Sequence, residues 1–225
     1  ALNRRLAPES RFSSARPPRR MPSDDVDAFD ELGPVDREAI SALRADELLG
    51  PVIDRHGPLT VEPADDPFER LVVSILRQQV SMASAAATRK RLFDAVEVTP
   101  VALLAADEST LKEAGLSRQK TRYVRNVAEA FADNDWTHEA FAAMSNDELR
   151  AELTEITGVG PWTANMQLLF TFGRPDVFPV GDLGVRKGVE RLVDGEPSRE
   201  AMRETATRWA PFRSYASLYL WALTD

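Results

Sequence analysis

Cysteine is absent from the 225 residues, and that one absence removes disulfides, thiolate nucleophiles, Cys-ligated zinc and Cys-held iron–sulfur clusters. Histidine occurs only as His56 and His138, too sparse for a His-rich metal site, and each reads as an ordinary surface or loop residue. No apolar run approaches the roughly 18 to 20 residues of a membrane-spanning helix, so no membrane partner is expected. The N-terminus carries arginines without an apolar core of secretory-signal length, which predicts an intracellular protein. Clean apolar/polar alternation over strand lengths is missing, as are hairpin dipeptides between β-rich runs and repeats of fixed period. Strands and solenoids are therefore not expected.

What is there suits a globular protein with one large or two small domains, since 43% of the residues are hydrophobic and 28% charged. The formal charge of -8 argues against coating nucleic acid by bulk phosphate neutralisation. The charge is uneven. Residues 1–20 hold six arginines against Glu9 alone, which leaves 22 basic and 35 acidic residues in the rest. Any nucleic-acid contact by the body must then be local. Arg118, Lys120, Arg122 and Arg125 in "SRQKTRYVR" could supply part of it, or could line a solvated helix face. Residues 1–25, rich in Arg, Pro and Ser, have the composition of a flexible arm.

From about residue 35 the pattern turns helical, with Ile40, Leu43 and Glu47/Leu48 at helical spacing, before "GPVIDRHGPLTVEPADDP" punctuates with Gly and Pro. The strongest helix begins at Asp66 and Pro67, with Phe68, Leu71, Val72, Ile75, Leu76 and Val80 on one stripe. Gln79 continues that face yet is polar, so it needs a partner; a helix-end glutamine bonded to backbone is the plain reading. Further helices are predicted over about 100–106, 107–114, 117–133, 137–143, 145–155, 161–172, 182–193, 198–209 and 211–224. Ser117, Ser145 with Glu148, and Ser198 serve as caps. The fold class is all-α.

Between two of these helices, "EITGVGPWTANMQLLF" spends Gly158, Gly160, Pro161 and Trp162 on one turn. Glycine allows a tight turn or the close approach of a ligand, and Pro161 at the first helical position costs nothing because that N–H is unpaired anyway. The turn is either a Gly cap followed by a Pro start, or a helix N-terminus whose amides bind an anion such as phosphate. By position alone, Asp182 before "LGVRKGVERL" is an N-cap, and Trp162 and Trp221 are core residues at helical spacing.

"LTEITGVGPWTANMQLL" resembles the hairpin of the helix-hairpin-helix DNA glycosylases, and "PDVFPVGDLGVRKGV" resembles that superfamily's Gly/Pro-rich loop ending in a catalytic aspartate. "DPFERLVVSILRQQVS", "LKEAGLSRQKTRYV" and "WAPFRSYASLYLWAL" are similar to its alkyl-base branch, the AlkA-type 3-methyladenine DNA glycosylases. These five blocks stand in the family's order, and the resemblance extends from about residue 35 to the end of the chain. The resemblance implies two helical subdomains flanking a DNA and active-site cleft, with residues 26–225 as the glycosylase domain and the hairpin at about 154–165. It is to the short form, without an amino-terminal β-rich domain.

The resemblance implies roles residue by residue. Asp182 would be catalytic, stabilising positive charge on the deoxyribose and orienting water, which suits a carboxylate at a helix N-terminus. Lyase members place a lysine where this chain has Trp162, so a monofunctional hydrolase that leaves an abasic site is implied, without organic cofactor or iron–sulfur cluster. Trp221 and Trp162 would line a pocket that attracts a cationic alkylated base such as 3-methyladenine or 7-methylguanine. Met166 stands where the family has a pocket tyrosine, and Leu183 where some members have one, which implies a wider pocket. Gln79 would be the wedge that fills the gap left by the flipped nucleotide. Amides near Gly158, Gly160 and Thr163 would grip phosphates, and carbonyls of Thr154, Ile156 and Val159 would hold a structural mono- or divalent cation. The partner would be duplex DNA carrying alkylated bases, the protein a monomer and nucleoid-associated. The alternatives are a non-catalytic helix-hairpin-helix module that binds damaged DNA, and a monofunctional mismatch or oxidised-base glycosylase. Asp182 speaks against a pure binder, because a carboxylate repels phosphates.

Overall fold

The computed structural model describes residues 29, 31–134 and 136–224; the arm expected over residues 1–25 lies outside them. The described residues form two compact units, one from those up to residue 60 together with 180–209 and 215–224, the other from those within 61–179 together with 210–214. Every regular element among the described residues is helical, and no helix among them is long and apolar enough to cross a membrane.

The first unit opens with α1 (Pro34–Arg44) and α2 (Gly50–His56). Helical spacing as far as Leu48 overstates α1. The chain turns after Arg44 because the Asp46 carboxylate accepts the backbone N–H groups of Leu48 and Leu49, at 3.0 and 3.1 Å, in place of a helical ladder. The stretch read as Gly/Pro punctuation instead begins with α2, where Gly50 and Pro51 occupy the first turn that tolerates them.

In the second unit, α3 (Pro67–Arg77) and α4 (Met82–Ala95) are followed by α5 (Pro100–Ala105), α6 (Glu108–Glu113) and α7 (Arg118–Asn134). Next come α8 (His138–Ala142), α9 (Asn146–Glu155) and α10 (Pro161–Phe170). The chain re-enters the first unit with α11 (Leu183–Val193), α12 (Arg199–Ala206) and a 3-10 turn over Thr207–Trp209, before α13 (Arg213–Ala222). The caps read from sequence are in place. Asp66 accepts from Glu69 N–H, Ser145 and Glu148 form a reciprocal box, and Ser117 and Ser198 accept from Lys120 and Ala201. Each such cap is worth about 1 kcal/mol.

Packing follows the apolar stripes. Phe68, Leu71, Val72, Ile75 and Leu76 on α3 are all buried, each contributing about 1.5–3 kcal/mol on burial, so this face outweighs any single cap in holding α3. In the first unit, Tyr219 sits at 0% exposure; its hydroxyl accepts from Leu59 N–H and donates to Gly57 carbonyl, and burial pushes its pKa up to about 12.

Within the second unit, Arg213 holds Asp176 in a fork, Nε to Oδ1 at 2.6 Å and Nη2 to Oδ2 at 2.8 Å. That hydrogen bonding, and then the guanidinium charge, keeps the carboxyl below its ordinary value against opposing burial. A depressed carboxylate stabilises the fold above its unfolded value of about 3.9, and the contribution is lost as pH falls through the lower folded value. Asp176→Asn is expected to cost about 1–2 kcal/mol at neutral pH, discounted for partial exposure. In denaturant melts the gap from wild type should narrow below about pH 4; a gap independent of pH counts against the pair.

Candidate functional site

The hairpin is built from a helix end, a forced glycine and a helix start. After α9 the chain becomes extended at Ile156, and Val159 N–H closes the turn on Ile156 carbonyl at 2.9 Å. Gly158 has φ +112, a region that side-chain-bearing residues avoid, and a Cβ there would lie 2.4 Å from the Tyr123 ring. Gly160 differs. Its backbone is extended, it is exposed, and a Cβ on it would meet nothing among the described residues within 4 Å. Its own chain therefore does not require glycine at that position; a small residue there leaves an open approach to the N-terminus of α10. Pro161 occupies the first position of α10, no side chain caps it, and the helical ladder begins with Ala164 N–H on Gly160 carbonyl. The first-turn amides of Trp162 and Thr163 precede that ladder, as at any helix start.

Two amide side chains fasten the hairpin to its unit. Asn126 Nδ2 donates to Thr157 carbonyl at 3.0 Å and Gln78 Nε2 to Gly158 carbonyl at 2.9 Å. Gln78 also explains a departure from the sequence pattern. The α3 face does not continue through Gln79, because the helix stops at Arg77, Gln78 is extended, and Gln79 adopts φ 58. Lys120 Nζ takes Leu76 carbonyl at 2.5 Å and Ser81 restarts the chain as the cap of α4. These tertiary bonds replace the i to i+4 bonds that the apolar spacing predicts. The backbone-bonded glutamine is thus Gln78, and Gln79 is exposed on a left-handed turn.

Asp182 caps α11 and is 1% exposed. Its Oδ1 accepts from Val185 N–H at 3.0 Å and from Trp221 Nε1–H at 2.8 Å. The indole can approach this closely because residue 184 is glycine: a Cβ there would lie 2.5 Å from Trp221 Cδ1 and 2.9 Å from Nε1. One turn on, Gly188 plays the same part toward α13, with Leu220 carbonyl 2.4 Å from where its Cβ would be. A buried carboxylate at a helix N-terminus, oriented by an indole N–H, is a prepared negative charge.

The structure brings Asp182, Leu183 and Trp221 together in the first unit. Gln79, Trp162, Met166 and the hairpin residues belong to the second, where Met166 and Thr163 are 9% and 4% exposed. Of the basic cluster on α7, Lys120 and Arg125 point to backbone carbonyls of Leu76 and Ala106, while Arg118 and Arg122 are exposed. Burial lowers the Lys120 pKa. Sequence reading passed over Gly184, Gln78 and Tyr123. Only Gly184 had a signal, as one of two glycines four apart in α11. Among the described residues no group of three or more His, Asp or Glu side chains gathers as a metal site.

The family described as HhH-GPD superfamily base excision DNA repair protein matches residues 72–212. The chain is 32% identical over 164 residues to DNA-3-methyladenine glycosylase 1 of Schizosaccharomyces pombe, covering 69% of this chain and 72% of that protein. It is 28% identical over 193 residues to the DNA-3-methyladenine glycosylase of Bacillus subtilis, covering 79% and 64%. Another Bacillus subtilis relative is spanned for only 43% of its length. Among solved structures, a Bacillus halodurans DNA-3-methyladenine glycosidase superposes with TM-score 0.77 at 30% identity, covering 84% of this chain and 89% of that one. A Schizosaccharomyces pombe 3-methyladenine DNA glycosylase in complex with abasic DNA superposes with TM-score 0.73 at 29% identity, covering 83% and 96%.

Proposed function

The chain belongs to the HhH-GPD superfamily of base excision DNA repair proteins, and from that premise we propose that it excises alkylated bases from duplex DNA by hydrolysis. The observation that carries the reading is the buried Asp182 carboxylate, oriented by Trp221 Nε1 at the N-terminus of α11. Alkylation at N3 or N7 makes a purine cationic, so the C1′–N bond breaks with its electron pair neutralising the base, and little general acid is needed. Asp182 stabilises the positive charge left on the sugar and takes a proton as water oxygen bonds to C1′, leaving an abasic site.

The other roles follow from chemistry and position. In the first unit the indole of Trp221, with Leu183 beside Asp182, offers an electron-rich face to a cationic base; in the second, Trp162 and Met166 are the candidate base contacts. Gln79, exposed on its turn, fills the gap beside the orphaned base. First-turn amides of α10 near Gly158, Gly160 and Thr163 bind a phosphate of the extruded strand. A hairpin cation held by the carbonyls of Thr154, Ile156 and Val159 would add positive charge where an acidic protein meets DNA. Trp162 stands where a Schiff-base lysine would be needed, so the reaction ends at hydrolysis. A monomer acting on nucleoid DNA completes the reading.

The test is release of methylated bases from methylated duplex DNA, with each sample split between neutral and alkaline work-up. Free 3-methyladenine or 7-methylguanine, with strand breaks only after alkali, is the expected result. Tight binding without base release would replace the enzyme with a damage-binding module, and breaks without alkali would indicate a lyase.

A further inference from the structure

A groove of about 310 Å³ between α3 and α4 in the second unit is lined by apolar residues that include Val73, Leu76 and Ala85, and by the charged Arg77, Arg89, Lys90 and Asp94. Arg70 lies seven residues before Arg77 on α3, about two turns away, and so shares its face. Pairing here is incomplete. Arg89 Nη2 meets Glu69 Oε1 at 3.1 Å with its guanidinium 4.6 Å over the Phe93 ring, and Lys90 pairs with Asp94 at 2.7 Å. Arg70 lies 5.9 Å over the Phe170 ring, and among the described residues no carboxylate pairs with Arg70 or Arg77.

Both of these side chains are half-buried. Burial first, and then the charges of neighbouring arginines, lower the pKa of each: Arg89 acts on Arg70, and Arg70 and Arg89 act on Arg77. Like charges held together and partly desolvated are costly unless an anion joins them. Among the described residues no anion joins Arg70 and Arg77, which suits the pair to an anion supplied from outside. Its position narrows the choice. Arg77 is the last residue of α3 and directly precedes the Gln78–Gln79 turn, while α4 begins just after it.

We propose that the groove between α3 and α4 binds a backbone phosphate of duplex DNA through Arg77, with Arg70 and Arg89 behind it. The proposal rests on the reading that this chain acts on DNA, and adds a phosphate site separate from the hairpin. A planar guanidinium fork matches the phosphate oxygens, and the apolar lining accommodates the adjoining sugar.

Binding to a fluorescein-labelled duplex with a tetrahydrofuran abasic analogue, followed by anisotropy across a salt titration, tests it. Arg77→Gln should weaken binding about 5- to 20-fold at moderate salt and reduce the slope of log K against log salt by about 1. Arg70→Gln/Arg77→Gln should lose more, Arg77→Lys should keep the slope, and the exposed Arg199→Gln in the first unit should match wild type. Relief of the repulsion should leave the melting temperature of Arg77→Gln at or above that of wild type, which excludes misfolding as the cause. If Arg77→Gln leaves both affinity and slope at the Arg199→Gln values, the groove is not a phosphate site even where base release stands. If the slope falls while wild type frees no base, the site holds and the glycosylase reading fails alone.

Discussion

Asp182→Asn is expected to bind an abasic-site duplex as tightly as wild type and to release methylated bases at least about 10³-fold more slowly, a loss of about 4 kcal/mol in transition-state stabilisation. The substitution isolates the charge. Asparagine is as good an N-cap as aspartate, and its amide oxygen still accepts from Val185 N–H and Trp221 Nε1, so the local geometry survives. On the proposed mechanism, what disappears is the negative charge that faces a developing sugar cation and the base that receives the water proton. Stability should stay within about 1 kcal/mol of wild type. Tight binding with slow release in single-turnover assays supports the assignment. Release within a few-fold of wild type would remove Asp182 from the chemistry and leave it a helix cap, whereas tighter binding would match removal of a phosphate-repelling carboxylate.

Gly184→Ala should have the next largest effect although no ligand need touch residue 184. A methyl group there would stand 2.5 Å from Trp221 Cδ1, far inside contact distance, so the indole must move and its bond to Asp182 must lengthen or break. The carboxylate then loses its orienting donor and the aromatic face its position, and displacements of this size cost about 10²-fold in rate. The lost hydrogen bond to a charged group would cost about 1.5–3 kcal/mol of stability, offset in part by the better helix propensity of alanine. Single-turnover release from Gly184→Ala beside Trp221→Phe distinguishes the two effects. Equal losses place the function of Gly184 in seating the indole; a rate like wild type in Gly184→Ala would mean that Trp221 tolerates displacement.

The order of the helices was legible because it rests on local rules. Ser145 with Glu148, Ser198 and Asp66 cap where the sequence places them, and the α3 stripe is the buried one. Asp182 as a cap and the glycine turn before Pro161 were legible for the same reason. Other features depended on partners distant in the chain. The end of α3 rests on Lys120 and on Gln78 reaching Gly158 across 80 positions, so the apolar spacing alone carried the helix too far. Gly50 and Pro51 read as a breaker, although the first turn of a helix accommodates both.

What the sequence by itself determined is the all-α class, the capped helix boundaries and Asp182 as a cap, since periodicity, capping and residue type act over a few neighbours; a catalytic role for Asp182 is implied by the family resemblance alone. Only the tertiary structure decided that Gly158 is required by conformation while Gly160 merely leaves space, that Trp221 orients Asp182 through the gap at Gly184, and that Arg70 and Arg77 lack acidic partners among the described residues. Those facts depend on which atoms lie within a few ångströms across long sequence separations, and close packing, not local propensity, sets such distances.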